Sequence, residues 1–515
     1  MNHRASILLI NSLSSYARMG ISMVLGLLIT RSALQVLAQT SPVAKETFGV
    51  FMLLISVATA TQFLNESTQQ AMVRFLAMSF QTEDRRSTQE WFNSGWVMST
   101  SIGGGVAIAM AVAAPWIVSV FNIPETMIAP AQSMILLAAL AQIINAMTQP
   151  WSAALSADDR YTLLNVLFVL QQGLTLAGLR VLPVLPLDPL IGLSLVWLAP
   201  GVLVGGILAV WVALQKSFLR LNWRLIHWQN CQQLFALGGW SSLIGLASNL
   251  YERTDQILIN LLIGPAGNAV YAIAIQLGGA LNRLVTSFTS VLLPTAARIA
   301  ASGSVTDKQQ LILRSTRYVL VLALPCAFGV AIFRREIIEL WLGKGFEAAI
   351  AILPLTILLM LCRIPIFVTW PYLTAANQLK LPAIAIFCDG VMNVFLSIAY
   401  VKVLGLGLAG IVLGTLSTNL IRFVFFQIPF VARLVELPLS RYWIEGYTRP
   451  LLPMLWLVPM LWWLQSQKLP LAMTLTGLAV VGLLYPGFVW FYVLNDDEQK
   501  LMTTLLGQRL QPKKS

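Results

Sequence analysis

Charge is scarce in this chain. Only 10% of its 515 residues are Asp, Glu, Lys or Arg, where a soluble globular domain carries roughly 25%. So little charge cannot solvate a water-facing exterior. Lipid is the surrounding that fits 57% hydrophobic residues and a mean hydropathy of +0.76. Histidine and cysteine are also few: His3 and His227, and Cys231, Cys326, Cys362 and Cys388. The cysteines lie far apart, with no CxxC pair and no Cys/His cluster, which argues against a disulfide framework and against a metal site. They read as small apolar residues, and no metal or other cofactor is expected. The chain also lacks GxxxxGK[ST], HExxH and any GxGxxG in a strand–helix setting, so ATP and zinc hydrolysis have no support. No external loop is large enough for the acidic site of a membrane glycosyltransferase. An enzyme is therefore not expected.

What the chain has is apolar runs. A bilayer core of about 30 Å needs about 20 apolar residues per helix. Segments that meet this centre on Tyr16–Leu37, Phe48–Phe80, Trp96–Val120, Met134–Leu155, Tyr161–Leu187 and Leu190–Leu214. After a basic stretch come Leu234–Ile263, Ala266–Leu293, Tyr318–Leu342, Ala348–Ala375, Leu381–Leu404 and Leu406–Phe430, then Leu451–Leu464 and Leu469–Leu494. The expected fold is an all-α polytopic membrane protein of about fourteen spans. Residues 1–216 would form an N-terminal six-helix lobe and 217–233 a cytoplasmic basic linker. Residues 234–432 would form a second six-helix lobe, and 433–515 two extra helices and a tail. The first run is longer than a signal-peptide core and lacks a clear small-residue cleavage site, so it reads as a retained helix.

The net charge of +12 raises nucleic acid as a partner, but the basic residues sit between apolar runs and not on one face, so none is expected. They set orientation instead. With the N-terminus inside, 19 of the 33 Lys and Arg fall in cytoplasmic segments, 7 in external loops and 7 within spans. That excess places both termini in the cytoplasm. One external loop, with Arg334, Arg335 and Lys344, dissents.

The two six-span blocks read as a repeat. A shift of 221 residues lays Ala141–Tyr161 on Cys362–Pro382, matching Ile143 to Ile364, Thr148 to Thr369, Pro150 to Pro371 and Ala154 to Ala375. Because six is even, the blocks would share one orientation about an axis along the membrane normal.

Charges within spans are the informative residues: Arg18, Arg31, Glu66, Arg74, Glu252, Arg253, Asp255, Arg283, Arg363, Asp389 and Arg422. Each costs about 2.5–3.5 kcal/mol to insert centrally and so needs a partner or a watery cavity. Basic ones outnumber acidic ones, leaving an electropositive interior suited to an anion. Arg31 and Arg74 lie near span ends and can snorkel to headgroups, and Arg363 and Arg422 can pair with Asp389 as a structural link. Glu252 and Asp255 share a helical face. Prolines 354, 365 and 371 interrupt one span, as broken helices of transporters do, although plain packing kinks are as common.

Several stretches resemble a known family. Asp255-Gln-Ile-Leu-Ile-Asn-Leu-Leu-Ile-Gly264-Pro265 followed by Tyr271-Ala-Ile-Ala is similar to the D-x-x-x-I-x-x-x-x-G-P…Y-x-x-A pattern of polysaccharide and O-antigen (Wzx-type) flippases. Val291-Leu-Leu-Pro294 with Arg298, Pro382-Ala-Ile with Asn393, and Phe48-Gly49-Val-Phe51 resemble three further segments of that family. Its superfamily, the multidrug/oligosaccharidyl-lipid/polysaccharide exporters, also holds MATE exporters and lipid II flippases. The resemblance implies two six-helix lobes in a V around a central cavity, with two extra helices allowed. It also implies an arginine-lined cavity for a diphosphate headgroup, a place in the bacterial inner membrane, and a lipid-linked oligosaccharide as cargo. A polysaccharide polymerase and a chain-length regulator are the partners expected beside membrane lipids.

On helical rise, Arg18 and Arg31 stand about 20 Å apart along the first span. The expectation is two cationic levels for substrate, Arg18 and Arg283 near the cytoplasmic side and Arg31 and Arg253 near the outer side. Asp255 and Glu252 are the candidates for coupling to an ion gradient. Rival readings are a lipid II flippase, a cation-coupled multidrug exporter, a non-transporting scaffold of polysaccharide assembly, and a polymerase. The exporter uses buried carboxylates, often on the first span, and Tyr16–Leu37 holds two arginines and no Asp or Glu.

Overall fold

The computed structural model describes the backbone of residues 3–216, 218–290, 292–496, 498–500 and 503, and their side chains except 3–9, 237–252, 290, 293–294 and 302. Every regular element among the described residues is helical. In chain order they are α1 (His3–Thr40), α2 (Ala44–Thr59), α3 (Gln62–Gln81), α4 (Arg85–Val120), α5 (Ile128–Ala157), α6 (Tyr161–Val181), α7 (Pro189–Gln215) and α8 (Trp228–Leu262). There follow α9 (Pro265–Ser290), α10 (Leu293–Ser302), α11 (Val305–Ile332), α12 (Arg334–Leu342), α13 (Glu347–Ala375), α14 (Lys380–Lys402), α15 (Gly407–Ile421) and α16 (Ile428–Leu434). The last long helices are Met454–Ser466 and Leu471–Tyr492.

Twelve helical stretches among the described residues are long and apolar enough to cross a membrane. These account for all the expected spans but two, so the count of fourteen is not reached. One of the two is α8, which includes side chains outside those described. The other is Met454–Ser466, only 13 residues long. The long second run is a single crossing broken into α2 and α3, and the ninth ends at Ile332, with α12 separate.

The lipid-facing surface is legible in α4. Ile108, Val112 and Trp116 recur every four residues and are 67%, 76% and 66% exposed, while Ala107, Met110 and Ala114 on other faces are buried. Three large apolar side chains in one exposed stripe are stable only against lipid. Helix starts follow local chemistry. Asp84 caps α4 by accepting from the Arg86 and Ser87 amides, Asp188 caps α7, and Ser304 with Asp307 forms a capping box on α11.

Packing divides the chain into two compact units: residues 1–276 with 386–414, and residues 277–385 with 415–515. In the first, α4 packs on α5, α5 on α7, α1 on α6, and α3 on α4, α5 and α8. Here the chain-order blocks intermingle: α8 and the start of α9 pack with the first six crossings. The Gln276 amide donates to the Gly26 carbonyl (2.9 Å) and its oxygen accepts from Thr30 (2.7 Å). Asn122, just beyond α4, donates its backbone amide to the Asn260 side chain and its own amide to the Asn260 carbonyl, both at 2.9 Å. In the second unit, α11 packs on α13. Glu498 is buried there, accepting from Arg317 (3.0 Å) and Tyr318 (2.8 Å).

In the stretch expected to be an external loop, the second unit pairs Arg335 with Glu347 at 2.8 Å and with Glu339 at 3.1 Å. Glu347 first, then Glu339, hold its guanidinium above the usual arginine range.

Two motif segments meet in the first unit. Gly49 of α2 abuts Pro265 at the start of α9, and a Cβ on Gly49 would collide with the Pro265 carbonyl. Gly264, at φ +109°, makes the turn that brings Pro265 there. Backbone cannot yield as a flexible side chain can, so Gly49→Ala is expected to destabilise the protein by about 1–3 kcal/mol. Gly105→Ala, with open space around it, should change little. Thermal unfolding of the two purified variants checks the difference.

Candidate functional site

Asn11, Ser14, Ser15 and Arg18 lie on one face of α1, at the i, i+3, i+4, i+7 spacing of a helical stripe. The first three face α6. The Asn11 oxygen accepts from the Thr162 hydroxyl (2.9 Å), and the Asn165 amide donates to Ser14 (2.9 Å) and Ser15 (3.1 Å). This polar seam fixes α1 against α6 and carries Arg18 to Phe168, whose ring centre is 5.0 Å from the guanidinium carbon. Arg18 is half-buried and makes no hydrogen bond or ion pair among the described residues; its Nε is buried without a partner.

Arg18 lines an open cavity of about 440 Å³ formed by α1, α3, α5, α6 and α7. The polar lining is dominated by carboxamides: Asn65 and Gln69 from α3, Asn145 and Gln149 from α5, Asn165 and Gln171 from α6. Arg18 is the one charged side chain among the described lining residues. The cavity thus offers one cation and many neutral donor–acceptor groups, a suitable receptor for an anion attached to an uncharged polar body.

A second constellation lies in the same unit. Asp255 on α8 is 3% exposed. One of its oxygens accepts from the Tyr271 hydroxyl of α9 (2.6 Å) and the other from the Asn393 amide of α14 (3.0 Å). Asn393 in turn accepts from Ser397 at 2.9 Å. Asp255 and Tyr271 come from one motif segment and Asn393 from another, and the fold brings them to one point. A carboxylate so held can exchange a proton or a small cation, or act purely as a structural anchor.

The other sequence candidates fall elsewhere. Arg31 is exposed on α1, Arg253 is half-buried on α8, and neither lines the Arg18 cavity; Arg283 is exposed on α9 in the second unit. The side chain of Glu252 lies outside those described. Arg422 is buried at the start of a π-helical turn (Arg422–Gln427) and donates to Asn419 at 2.8 Å. The carboxamides escaped a reading centred on charge, but a signal existed: Asn65/Gln69 and Asn145/Gln149 are i, i+4 amide pairs inside apolar runs.

Among the described residues the protein is all-helical, multi-pass and holds a polar cavity among its helices. Solved structures share this fold. A lipid II flippase, MurJ, in an inward closed conformation superposes with a TM-score of 0.69 at 13% identity, covering 94% of this chain and 99% of that one. An inward-facing multidrug resistance MATE family transporter of the MOP superfamily gives 0.67 at 14% identity, covering 80% and 96%. A MOP superfamily transporter from Pyrococcus furiosus gives 0.59 at 14%, covering 83% and 95%.

Residues 43–351 match the family described as polysaccharide biosynthesis protein, and the chain belongs to that family. The uncharacterized membrane protein EpsK of Bacillus subtilis is 24% identical over 400 residues, 76% of this chain and 77% of that protein. The chain is thus a multi-pass membrane protein of the polysaccharide biosynthesis family, with the fold of these transporters.

Proposed function

We propose that this protein moves a polyprenyl-diphosphate-linked oligosaccharide, an O-antigen or exopolysaccharide repeat unit, from the cytoplasmic to the outer leaflet by alternating access. The observation that carries the reading is Arg18, a cation with no hydrogen-bond or ion-pair partner among the described residues, in a cavity whose other polar lining groups are all neutral. A diphosphate supplies the missing counter-charge, and the membrane keeps the polyprenyl tail while the headgroup crosses through a polar path. Arg18 and Arg283 would load the diphosphate near the cytoplasmic side, and Arg31 and Arg253 would receive it near the outer side. Movement between two six-helix lobes would alternate access, in a bacterial inner membrane with both termini cytoplasmic. The polymerase and its chain-length regulator would take up the product outside. Asp255, with Glu252 as its neighbour, would link the motion to an ion gradient.

The test is deletion of the gene, followed by extraction and mass analysis of lipid-linked saccharides. A polyprenyl-diphosphate repeat unit trapped in the cytoplasmic leaflet is the expected result. Accumulation of lipid II there would reassign the cargo, and accumulation of neither would remove the flippase reading.

A further inference from the structure

The carboxamides around Arg18 have a chemistry the diphosphate does not use. An anion needs donors only, and a cationic drug needs carboxylates, which are absent from the described lining. A carboxamide presents a donor and an acceptor side by side, as does each hydroxyl of a sugar. We infer that this cavity is a saccharide-reading subsite, in which Gln69, Gln149 and Gln171 bind the neutral sugar attached to the diphosphate and set which repeat unit is carried. The inference rests on the proposed cargo and assigns its sugar moiety to specific residues.

Three features support it. First, acceptors stand ready. The side-chain oxygens of Asn65 and Gln149 are buried without a hydrogen-bond partner, a state that is unfavourable unless something fills it. Second, the amides are held in place and not left to swing. The Gln149 nitrogen donates to the Asn65 carbonyl at 2.6 Å, and the Gln69 nitrogen donates to the Ser152 hydroxyl at 3.0 Å. Gln149 is thereby fixed by its nitrogen, with its buried oxygen left as an unmatched acceptor beside the cavity. Third, α7 contributes space where it meets the amides. Gly201 and Gly205 line the cavity at i, i+4, and an added Cβ would lie 3.1 Å from the Gln171 nitrogen or 2.9 Å from the Thr148 hydroxyl. At about 440 Å³ the cavity lies within the range of small-molecule sites.

The experiment uses the full-length protein in lipid nanodiscs with four short-chain probes. These are a prenyl alcohol, a prenyl diphosphate without sugar, and the neutral prenyl glycosides of a hexose and of an N-acetylhexosamine. At least one glycoside is expected to bind wild type more tightly than the alcohol. The Gln69→Leu/Gln149→Leu variant should lose affinity for that glycoside at least roughly tenfold more than for the diphosphate, because unmatched hydroxyls discriminate strongly in polar sites. Gly201→Val, which narrows the cavity beside Gln171 and removes no amide, should show the same selective loss. Arg18→Ala should show the opposite selectivity. Glycosides that bind no better than the alcohol would overturn the inference, as would amide and glycine variants that weaken both headgroups equally. The diphosphate reading fails separately, if prenyl diphosphate binding is indifferent to Arg18→Ala.

Discussion

Arg18→Ala is expected to abolish polymer export while the protein accumulates normally in the membrane. The guanidinium has no ion-pair or hydrogen-bond partner among the described residues and rests on the Phe168 ring. Its removal therefore forfeits about 0.5–1 kcal/mol of cation–π attraction and relieves the burden of an inserted charge. The fold should not suffer. Cargo binding loses a charge-assisted contact of about 2–3 kcal/mol, or roughly 30- to 140-fold in affinity. Arg18→Lys should retain part of the activity, since it keeps the charge and loses the planar fork that grips a phosphate. Pairing Arg18→Ala with Arg283→Ala should leave no export. Surface polymer measured against immunoblotted protein checks both variants, and full export by the double mutant would return these arginines to structural roles.

Asp255→Asn is expected to reduce transport roughly tenfold or more with abundance unchanged, the signature of a group needed for turnover and not for binding alone. The substitution keeps the shape of a side chain that is almost wholly buried. The Tyr271 hydroxyl can turn to accept from the new amide, and Asn393 can still donate to its remaining oxygen. Packing therefore tolerates the change, while the negative charge that a proton or cation would neutralise is gone. Tyr271→Phe separates the alternatives, because it removes one donor and leaves the carboxylate. If coupling is the role, this variant should transport with an altered dependence on external pH or sodium. Loss of protein in both variants would instead make Asp255 a folding anchor, since breaking a buried hydrogen-bonded carboxylate is strongly destabilising.

The membrane crossings were legible because lipid imposes a simple rule on sequence. A helix must be apolar for its full thickness, and the runs around Met134–Leu155 and Ala348–Ala375 return as α5 and α13. Breaks within runs were less visible. Nothing in composition marks the interruption between α2 and α3 at Ala60–Thr61, where the next turn can supply the freed backbone partners. The Asp255 constellation was half legible. The motif segments named Asp255, Tyr271 and Asn393, but residues so far apart in sequence meet only through the packing of α8, α9 and α14. The cavity was least legible, because a carboxamide in an apolar run has no sign of charge to reveal it. Only the convergence of α3, α5 and α6 shows that six of them face one space.

The central claim is that this chain carries a lipid-linked saccharide across the bilayer through the Arg18 cavity. The most direct measurement reconstitutes the purified protein in liposomes loaded on one leaflet with polyprenyl-diphosphate-linked saccharide extracted from the deletion strain. Transfer is read by the saccharide's exposure to a membrane-impermeant sugar-oxidising reagent. Wild-type protein, supplied with an ion gradient, should expose the trapped saccharide, whereas empty liposomes and the Arg18→Ala protein should not. Transfer no faster than in empty liposomes, or equally fast with Arg18→Ala, would contradict it.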